Sequence, residues 1–365
     1  MVMLYNICMT SSMNLLEKAD LHKKNIILRI DSDVDIKDGK VLDDTRLVSA
    51  LPTIKHILAN YPQRVVVIGH LGRPEHQYEV GENLKENETS LEVIAKWFAN
   101  ELEGKTETAD ISGFEGWKIK DNLFLLENIR LYKGEEENDP VFVASLAKLG
   151  DIFINEAFAV SHRRHASTYG VAKLLTSYAG IHFAKEIDEL SKIINNPKRP
   201  LVVIIGGAKI ETKLPLVEKM HHVADFVLVG GEIASHVKEL IKVQHEKISG
   251  KKSVVLVADL QDNGLDITEK SAQNFVQIIQ NGATIVWNGP LGQTGKNPET
   301  EKGTLVVAKA IISSKAYSVV GGGDTLSFLK QKNLLGGFGF VSTGGGAMLE
   351  FLSGKELPAI KPLLT

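Results

Sequence analysis

Short apolar runs that end abruptly in glycine recur through the second half of the chain, and they limit the folds open to it. The clearest is Tyr317–Leu329 (YSVVGGGDTLSFL), where a strand-like run meets three glycines and then a helix-like segment. Similar corners stand at Leu201–Lys209 (LVVIIGGAK), Phe226–Gly231 (FVLVGG), Thr284–Gly292 (TIVWNGPLG) and Phe340–Gly346 (FVSTGGG). Several strands that end in glycine predict one parallel sheet. Open α/β sheets bind ligands at the carboxyl ends of their strands.

The corner in Tyr317–Leu329 also predicts the kind of ligand. Gly321, Gly322 and Gly323 allow positive φ and a close approach of the backbone to a ligand. The helix start that follows offers unpaired N–H groups and a partial positive charge, which suit phosphate. Asp324 would repel phosphate without an intervening cation, which makes it a candidate Mg²⁺ ligand. The alternative is a tight turn in which Asp324 is only the N-cap.

Length and composition exclude several classes of protein. At about 150 residues per domain, 365 residues are enough for two domains. The net charge of −3 argues against a general nucleic-acid binder, so any basic site has to be local. The only cysteine, Cys8, excludes an intrachain disulfide, and no apolar run approaches the ~18 residues of a membrane span. We therefore expect a cytoplasmic protein with neither nucleic-acid nor membrane partners.

Strand-like and helical segments alternate in the first half, which predicts a parallel sheet with helices on both faces. The predicted helices are Thr45–Leu58, to which Pro52 is an objection, and Ser90–Leu102. The predicted strands are Ile26–Asp33, Val65–Ile68, Leu123–Leu126 and Asp151–Ile154.

Cations rather than glycines stand near the ends of these segments. They are Arg46, His70, Arg73, Arg130, His162, Arg163, Arg164 and His165. Each alone is typical of a solvated surface, whereas together at the ends of separate strands they predict one anion pocket. A metal site built from the histidines is the alternative, but no acidic or cysteine partner shares a ligand spacing with them.

A helix predicted over Phe183–Ile194 ends at the NNPKRP segment and marks the best domain boundary. We predict an N-terminal domain over residues 1–182, a C-terminal domain over residues 183–350 and an extended tail over residues 351–365. Residues 1–12 carry no pattern of their own, so we expect them to be dispensable and Met13 to be the true start.

The motifs of the two halves, taken in order, resemble those of the phosphoglycerate kinases. In the first half they are RID at Arg29–Asp31, DDTR at Asp43–Arg46, GHLGRP at Gly69–Pro74, ENIR at Glu127–Arg130, NEAF at Asn155–Phe158 and HRRHAS at His162–Ser167. In the second half they are NPKRP, GGAK at Gly206–Lys209, VWNGPLG at Val286–Gly292, GGGDT at Gly321–Thr325 and STGGGA at Ser342–Ala347. Single pieces are weak signals, whereas the ordered set is specific.

The resemblance implies two doubly wound parallel-sheet α/β domains joined by a hinge helix, with the tail returning to the N-terminal domain. It implies a glycolytic phosphotransferase that moves a phosphoryl group reversibly from 1,3-bisphosphoglycerate to ADP with Mg²⁺, giving 3-phosphoglycerate and ATP. It also implies a monomer whose domains close over the substrates. The alternative is a non-catalytic metabolite-binding relative, but the presence of Arg46, Lys209 and Asp324 favours the enzyme. An unrelated dehydrogenase would need a GxGxxG after a strand, which is absent.

Site residues follow by motif. Phosphoglycerate would be bound by Asp31, Asp33, Arg46, His70, Arg73, Arg130 and Arg163. The nucleotide would be bound by Gly207, Lys209, Lys213, Gly231, Asn288, Gly321, Gly322, Gly323, Asp324 and Thr325, with Asp324 on the metal and Gly346 assisting. The catalytic groups would be Arg46, Lys209, Gly322 and Gly345, which face the negative charge on the phosphoryl group in flight.

The chain departs from the family pattern in two places. Near the phosphoglycerate motifs, Asp33 stands where the family has Asn. Its side chain could be protonated, point away from the pocket or pair with a nearby cation, and we expect it to pair with a cation such as Arg130 or Arg163. The other departures affect the expected nucleoside pocket, where the usual ribose-binding Glu has no sure counterpart. These positions are Glu232 and Thr268, where glycines are expected, and Glu299 and Glu301, the stand-ins for the missing Glu.

Overall fold

A computed structural model of the protein describes residues 12–74, 78–82, 89–244 and 253–364. The chain divides into two compact units: one runs up to Asp188 and resumes at Leu357, and the other is Glu189–Glu356. Cys8 and most of the segment expected to be dispensable lie outside the described residues. Within the ranges described, no helix is both long and apolar enough to cross a membrane.

The first unit is built around a seven-stranded sheet. The strands of this unit, of which β2 and β3 stand outside the sheet, are β1 (Asn25–Ile30), β2 (Ile36–Lys37), β3 (Lys40–Val41), β4 (Arg64–Ile68), β5 (Glu107–Ile111), β6 (Phe114–Lys120), β7 (Leu123–Leu126), β8 (Ile152–Glu156) and β9 (Thr176–Ala179). Its helices are α1 (Thr45–Ala59), α2 (Glu92–Glu101), α3 (Pro140–Ala147), α4 (Val171–Leu174) and the first part of α5 (Ile181–Asn195). The strand order is β5-β6-β7-β4-β1-β8-β9, and β2 and β3 form a separate hairpin.

Strand β1 lies inside this sheet and is buried on both faces. It pairs in parallel with β4 on one side and β8 on the other. Ile26 and Leu28 pack into one hydrophobic core, while Ile27 packs into a second core on the opposite face. A strand of this kind reads as a continuous apolar run. Arg29, the one charged residue within β1, is therefore carried into the interior, where it is only 1% exposed.

One edge of the sheet is antiparallel, which the predicted parallel sheet did not include. β6 pairs antiparallel with both β5 and β7. Ser112 and Gly113 join β5 to β6, and both have positive φ, 57° and 89°. Tight two-residue turns of this kind connect antiparallel strands, whereas parallel neighbours need a long crossover. The first sheet is consequently mixed.

Residues after Leu357 complete this first unit. Ala359 N donates to Ser161 O at 3.1 Å, and Asn14 N donates to Leu363 O at 2.8 Å. The segment is not wholly extended as expected, because Lys361–Leu363 forms one 3-10 turn. Leu363 at its end is fully buried, so this short segment is part of the core.

The second unit has a six-stranded sheet in which every assigned pairing is parallel. Its strands are β10 (Leu201–Ile205), β11 (Phe226–Val229), β12 (Val254–Val257), β13 (Thr284–Asn288), β14 (Tyr317–Gly321) and β15 (Phe340–Ser342). Its helices are the remainder of α5, α6 (Ile210–Val223), α7 (Ile233–Gln244), α8 (Glu269–Gln280), α9 (Lys302–Ser313), α10 (Gly323–Gln331) and α11 (Gly345–Leu352). The parallel sheet predicted for this half is confirmed.

The strand order of the second unit places its ligand site. The order is β12-β11-β10-β13-β14-β15, so the chain winds outward from β10 in one direction and from β13 in the other. The loops after β10 and β13 diverge at this switch point and leave a crevice at the carboxyl ends of the strands, where ligands bind in such sheets.

Candidate active site

Five basic side chains of the first unit lie together at one edge of the mixed sheet. His70, Arg130 and Arg163 follow β4, β7 and β8, Arg29 is near the end of β1, and Arg46 is in the first turn of α1. We call these five residues the basic cluster. The four arginines all lower the pKa of His70, and burial of the ring lowers it further than any of them. The imidazole is therefore neutral at pH 7.

Asp31 holds the Arg46 side chain in position. Its side chain is nearly buried, and its Oδ2 and Oδ1 lie 3.3 and 3.4 Å from Arg46 Nε and Nη1. Burial raises the pKa of Asp31, although Arg46 opposes that shift. Arg46 Nη1 also donates to Asp33 O at 2.8 Å. The motif assigned both Asp31 and Arg46 to the substrate, and in the structure they contact each other. The Arg46 guanidinium is held by the carboxylate of Asp31 and by the carbonyl oxygen of Asp33.

Asp33 does not make the pairing that we expected with Arg130 or Arg163. Its Oδ1 accepts a hydrogen bond from Gly72 N at 2.9 Å, and its Oδ2 lies 3.7 Å from His70 Nε2. Because His70 is neutral, the second contact is not an ion pair, despite its geometry. The expectation was wrong because the backbone of the loop after β4 supplies a donor that an arginine was expected to supply.

Arg130 carries a donor with no partner in the described part of the chain. Its Nη1 donates to Gly72 O at 2.6 Å, and its Nε lies 3.3 Å from Glu136 Oε1. Its Nη2 is buried without a hydrogen-bond partner among the described residues. A buried, unsatisfied guanidinium N–H is costly, which fits a position that an anionic ligand completes.

Arg163 and Arg73 were both predicted to bind phosphoglycerate, but they differ in how close they lie to the basic cluster. Arg163 is half-buried, and its Nε lies 3.3 Å from His162 Nε2. Arg73 is exposed and is not among the groups with the largest effect on the pKa of His70. The structure therefore places Arg163 with the basic cluster and leaves Arg73 at its outside.

Sequence reasoning missed Arg29 as a member of the cluster. Burial lowers the pKa of Arg29 to about 10, yet the group stays charged at neutral pH. Its Nη2 lies 3.0 Å from His70 Nδ1 and its Nε donates to Ser167 Oγ at 2.9 Å. The signal was present, since one arginine inside an apolar strand has to find buried partners.

The second group of predicted residues lies at the switch point between β10 and β13. It surrounds a cavity of about 200 Å³. The lining residues are Gly207, Ala208, Lys209, Lys213, Asn288, Gly289, Pro290, Gly322, Gly323, Asp324, Thr325, Gly345, Gly346 and Leu349. Helices α6, α10 and α11 all begin at this cavity, so their unpaired N–H groups converge on it.

Glycine is required in this wall for its backbone conformation. Gly322 has φ +101° and Gly207 has φ +93°, values that residues with a Cβ rarely adopt. A Cβ on Gly322 would also lie 3.1 Å from Asn288 Oδ1. Gly231 and Gly321, two predicted nucleotide ligands, do not line the cavity. Gly231 instead supports it, because a Cβ there would lie 2.7 Å from Gly207 N.

Two lysines on α6, or at its start, reach the cavity in different ways. Lys209 is exposed, whereas Lys213 is 8% exposed and its Nζ donates to Asn288 Oδ1. Burial lowers the pKa of Lys213 to about 8, against the opposite effect of Asp324. In the protein without ligand, the Lys213 amino group therefore changes its protonation state at a pH only slightly above neutrality.

Asp324 and Thr325, in the first turn of α10, have separate roles. Asp324 is exposed at the cavity, while Thr325 is fully buried and its Oγ1 accepts a hydrogen bond from Gly289 N at 3.1 Å. Thr325 thus ties the β13 loop to α10 through a lone pair of its hydroxyl oxygen. Among the described residues, no three His, Cys, Asp or Glu side chains are grouped as metal ligands.

The departures in the expected nucleoside pocket have structural partners of their own. Thr268 caps α8 by accepting a hydrogen bond from Ser271 N. Glu301 is 5% exposed and bonded to Lys332 and to Gly295 N. Glu299 forms an exposed ion pair with Lys302, and Glu232 is exposed. Glu299 and Glu301, the two candidates to replace the missing ribose-binding Glu, therefore already have partners within the protein.

Larger concave surfaces occur away from these residues. Two of about 400 Å³ lie along β5 and β6 in the first unit. The first is lined by the acidic residues Glu82, Asp110, Glu115 and Glu127 and would repel a phosphate. Size alone therefore does not identify the site.

Comparisons with known proteins match almost the whole chain to one family. The family model described as phosphoglycerate kinase matches residues 16–253 and 235–355. A phosphoglycerate kinase of Maricaulis maris is 33% identical, over 96% of this chain and 97% of that protein. One of Haemophilus influenzae is 35% identical, over 94% of this chain and 96% of that protein.

Solved structures of phosphoglycerate kinases also match this chain, in fold as well as in sequence. The phosphoglycerate kinase of Coxiella burnetii has a TM-score of 0.77 and 32% identity, and the match covers 96% of this chain and 98% of that one. The enzyme of Pyrococcus horikoshii has a TM-score of 0.78 and 29% identity, over 96% of this chain and 98% of that one. The predicted two-domain α/β fold is confirmed, and the chain belongs to the phosphoglycerate kinase family.

Proposed function

We propose that this protein is a phosphoglycerate kinase that transfers a phosphoryl group reversibly from 1,3-bisphosphoglycerate to ADP, giving 3-phosphoglycerate and ATP in glycolysis. One observation carries the proposal: each unit holds its own arrangement for binding phosphate. The first unit has buried arginines, and the second has a cavity at the switch point of a parallel sheet. A transfer between two phosphate-bearing substrates requires two such arrangements.

The basic cluster is proposed to bind the phosphoglycerate. Arg46, Arg130 and Arg163 are suited to its phosphate and carboxylate because guanidinium groups bind such anions through two parallel hydrogen bonds. His70 supplies a further donor, and Asp31 braces Arg46. Arg73 belongs to this set by motif, and Asp33 by its position in place of the family's Asn.

The cavity is proposed to bind the nucleotide phosphates. Backbone N–H groups of Gly207, Gly322, Gly323 and Gly345 suit the phosphate oxygens, and Lys209, Lys213 and Asn288 supply side-chain donors. Gly231 and Gly321 stand outside the lining of the cavity, whereas Thr325 lines it and holds the β13 loop through the hydrogen bond from Gly289 N.

Asp324 is proposed as the protein ligand of Mg²⁺. Magnesium in kinases is bound by one or two carboxylates together with substrate phosphates and water, so a single exposed carboxylate at the cavity fits it. When bound, the metal neutralises charge on the nucleotide phosphates. Asp324 would lie on the phosphate side of α10, where the helix start also favours negative charge.

The transfer itself needs little proton chemistry. An oxygen of the ADP β-phosphate attacks the acyl phosphorus, and the bond from that phosphorus to the carboxyl oxygen breaks. Both the attacking phosphate and the departing carboxylate are already ionised, so no general acid or base is required. Catalysis then consists of positioning and of stabilising charge, for which we propose Arg46, Lys209 and the backbone of Gly322 and Gly345. Closure of the two units during turnover stays a prediction.

A coupled assay tests the proposal. We expect 3-phosphoglycerate with MgATP to give turnover, and a parallel assay with MgGTP to report how strongly the altered nucleoside region selects the base. Binding of both substrates without turnover would overturn the proposal and identify a metabolite-binding relative instead. Omission of Mg²⁺ and the variant Asp324→Ala test the metal ligand in the same assay.

We also propose that the protein acts as a monomer in the cytoplasm, with small-molecule substrates and no nucleic-acid partner. The net charge of −3 and the single cysteine support this setting. Light scattering on the purified protein tests the monomer: a mass near 40.0 kDa is expected.

A further inference from the structure

A fully buried carboxylate stands behind the basic cluster. Glu135 is 0% exposed and follows the short helix at Ile129–Leu131. Its Oε1 accepts a hydrogen bond from Ser167 Oγ at 2.6 Å, and its Oε2 accepts one from Ser167 N at 2.9 Å. Burying a carboxylate is expensive unless several donors and a cation compensate it. Glu135 therefore has a structural purpose that the proposed substrate contacts do not explain.

Hydrogen bonds run from Glu135 to His70 through two further side chains. Ser167 has one hydroxyl hydrogen, which it donates in the hydrogen bond to Glu135 Oε1. Ser167 Oγ is thus left as an acceptor for Arg29 Nε, 2.9 Å away. Arg29 Nη2 in turn lies 3.0 Å from His70 Nδ1. We call Glu135, Ser167, Arg29 and His70 the buried relay.

The direction of the last hydrogen bond determines the tautomer of the ring. A guanidinium has donors only, so His70 Nδ1 has to accept from Arg29. In a neutral imidazole the proton is then on Nε2. That atom faces Asp33, 3.7 Å away, at the side where the anionic substrate is expected.

The surroundings of His70 favour a neutral ring. The groups that act on its charge are Arg29, Arg46, Arg130 and Arg163, and Asp33 is the nearby carboxylate. Adding a proton to Nδ1 would also break the contact with Arg29 and place two cations against each other. A neutral donor avoids this repulsion and still offers the substrate a hydrogen bond.

We infer that Glu135, Ser167 and Arg29 are positioning residues that hold His70 as the neutral Nε2–H tautomer, so that it meets phosphoglycerate as a hydrogen-bond donor and not as a cation. This inference rests on the proposed function of the basic cluster. It extends the phosphoglycerate site to three residues that need not touch the substrate.

The protein without substrate provides the first test. Long-range ¹H–¹⁵N spectra of the whole chain, with His70 assigned from its loss in His70→Gln, read the tautomer directly. We expect the Nε2–H form, with nitrogen shifts that stay constant between pH 8 and pH 6. A protonated ring at pH 7, or the Nδ1–H form, would overturn the inference. Because this measurement does not depend on turnover, it remains decisive even if the kinase assay fails.

Ser167→Ala provides the second test, because it interrupts the buried relay without changing any charge. We expect a mixture of His70 tautomers and a KM for 3-phosphoglycerate that rises about three- to tenfold, as is typical for one lost hydrogen bond. The nucleotide KM should not change. Ser177→Ala is the matched control, since Ser177 is also buried but donates to the carbonyls of Ala172 and Leu175.

A third variant distinguishes a positioning role of Glu135 from simple neutralisation of the charge on Arg29. Glu135→Gln keeps the shape of the side chain and removes the carboxylate that orients Ser167. If Glu135 only neutralised Arg29, Glu135→Gln would lower the melting temperature and leave the His70 spectrum unchanged. That result, or a Ser167→Ala spectrum identical to that of Ser177→Ala, would overturn the inference.

Discussion

The basic cluster and the glycine-lined cavity serve the same kind of ligand, but they are built from different parts of the chain. In the basic cluster the donors are side chains, and Arg29 and Arg130 are only 1% and 4% exposed. Buried carboxylates at Asp31 and Glu135 stand behind them. In the cavity most donors are backbone N–H groups at the starts of three helices, and its outermost lysine, Lys209, is exposed.

This difference shows where each arrangement is vulnerable. Cations inside a protein need nearby acceptors, so the basic cluster should respond most to changes of charge or hydrogen bonding around it. Backbone donors need particular φ values and room for the ligand, so the cavity should be sensitive to an added Cβ as well as to the loss of its lysine charges. The four predictions below test this contrast, from the largest expected effect to the smallest.

Lys209→Ala should have the largest effect, because one exposed lysine supplies charge that the backbone of the cavity cannot replace. We expect kcat to fall by about 10²–10³, as for the loss of one electrostatic group at a transition state, with a smaller change in KM. Lys219→Ala on the same helix is the control. Turnover like that of the wild type would show that the helix starts are sufficient without the lysine.

Gly322→Ala should disrupt the cavity mainly through its backbone conformation, with a tight contact between the new Cβ and Asn288 Oδ1 in addition. Its φ of +101° lies outside the regions open to alanine, so unfolding free energy should fall by about 1–3 kcal/mol and the nucleotide KM should rise. Gly323→Ala is the matched control, because a Cβ there has nothing within 4 Å. Chemical denaturation measures both variants, and equal stability would remove the conformational argument.

Lys213 should make nucleotide use depend on pH. Its pKa is about 8 in the free protein because it is buried, so it is charged below that pH and neutral above it. As pH rises through 8, kcat/KM for the nucleotide should fall by about tenfold per unit. Lys213→Arg should lose this decline, since arginine stays protonated. A decline that persists in Lys213→Arg would assign the titration to another group.

Asp33→Asn should have the smallest effect and the opposite sign. The Asp33 side chain is 42% exposed, so its repulsion of an anionic substrate is largely screened. We expect KM for 3-phosphoglycerate to fall about threefold to fivefold, equivalent to roughly 1 kcal/mol, with no change for the nucleotide. Asp35→Asn is the control, because Asp35 is exposed on the same loop. A higher KM would mean that Asp33 binds the substrate.

The sequence by itself determined the parallel strands and the glycines at their ends. Leu123–Leu126 was predicted with the bounds that the structure shows, and the apolar runs at Leu201, Phe226 and Thr284 became β10, β11 and β13. The reason is local: a strand buried on both faces has to be apolar throughout. Positive φ likewise favours glycine, so a corner such as Gly322 is visible in the sequence.

Only the tertiary structure decided which side chains meet. The antiparallel edge at β5 and β6, the inward hydroxyl of Thr325 and the contacts of Asp33 all lacked a sufficient sequence signal. Arg29 reaches Ser167 across 138 positions, and Ser167 reaches Glu135 across 32. No periodicity in a sequence encodes a hydrogen bond between residues so far apart, because their distance is set by the packing of the strands and loops that carry them.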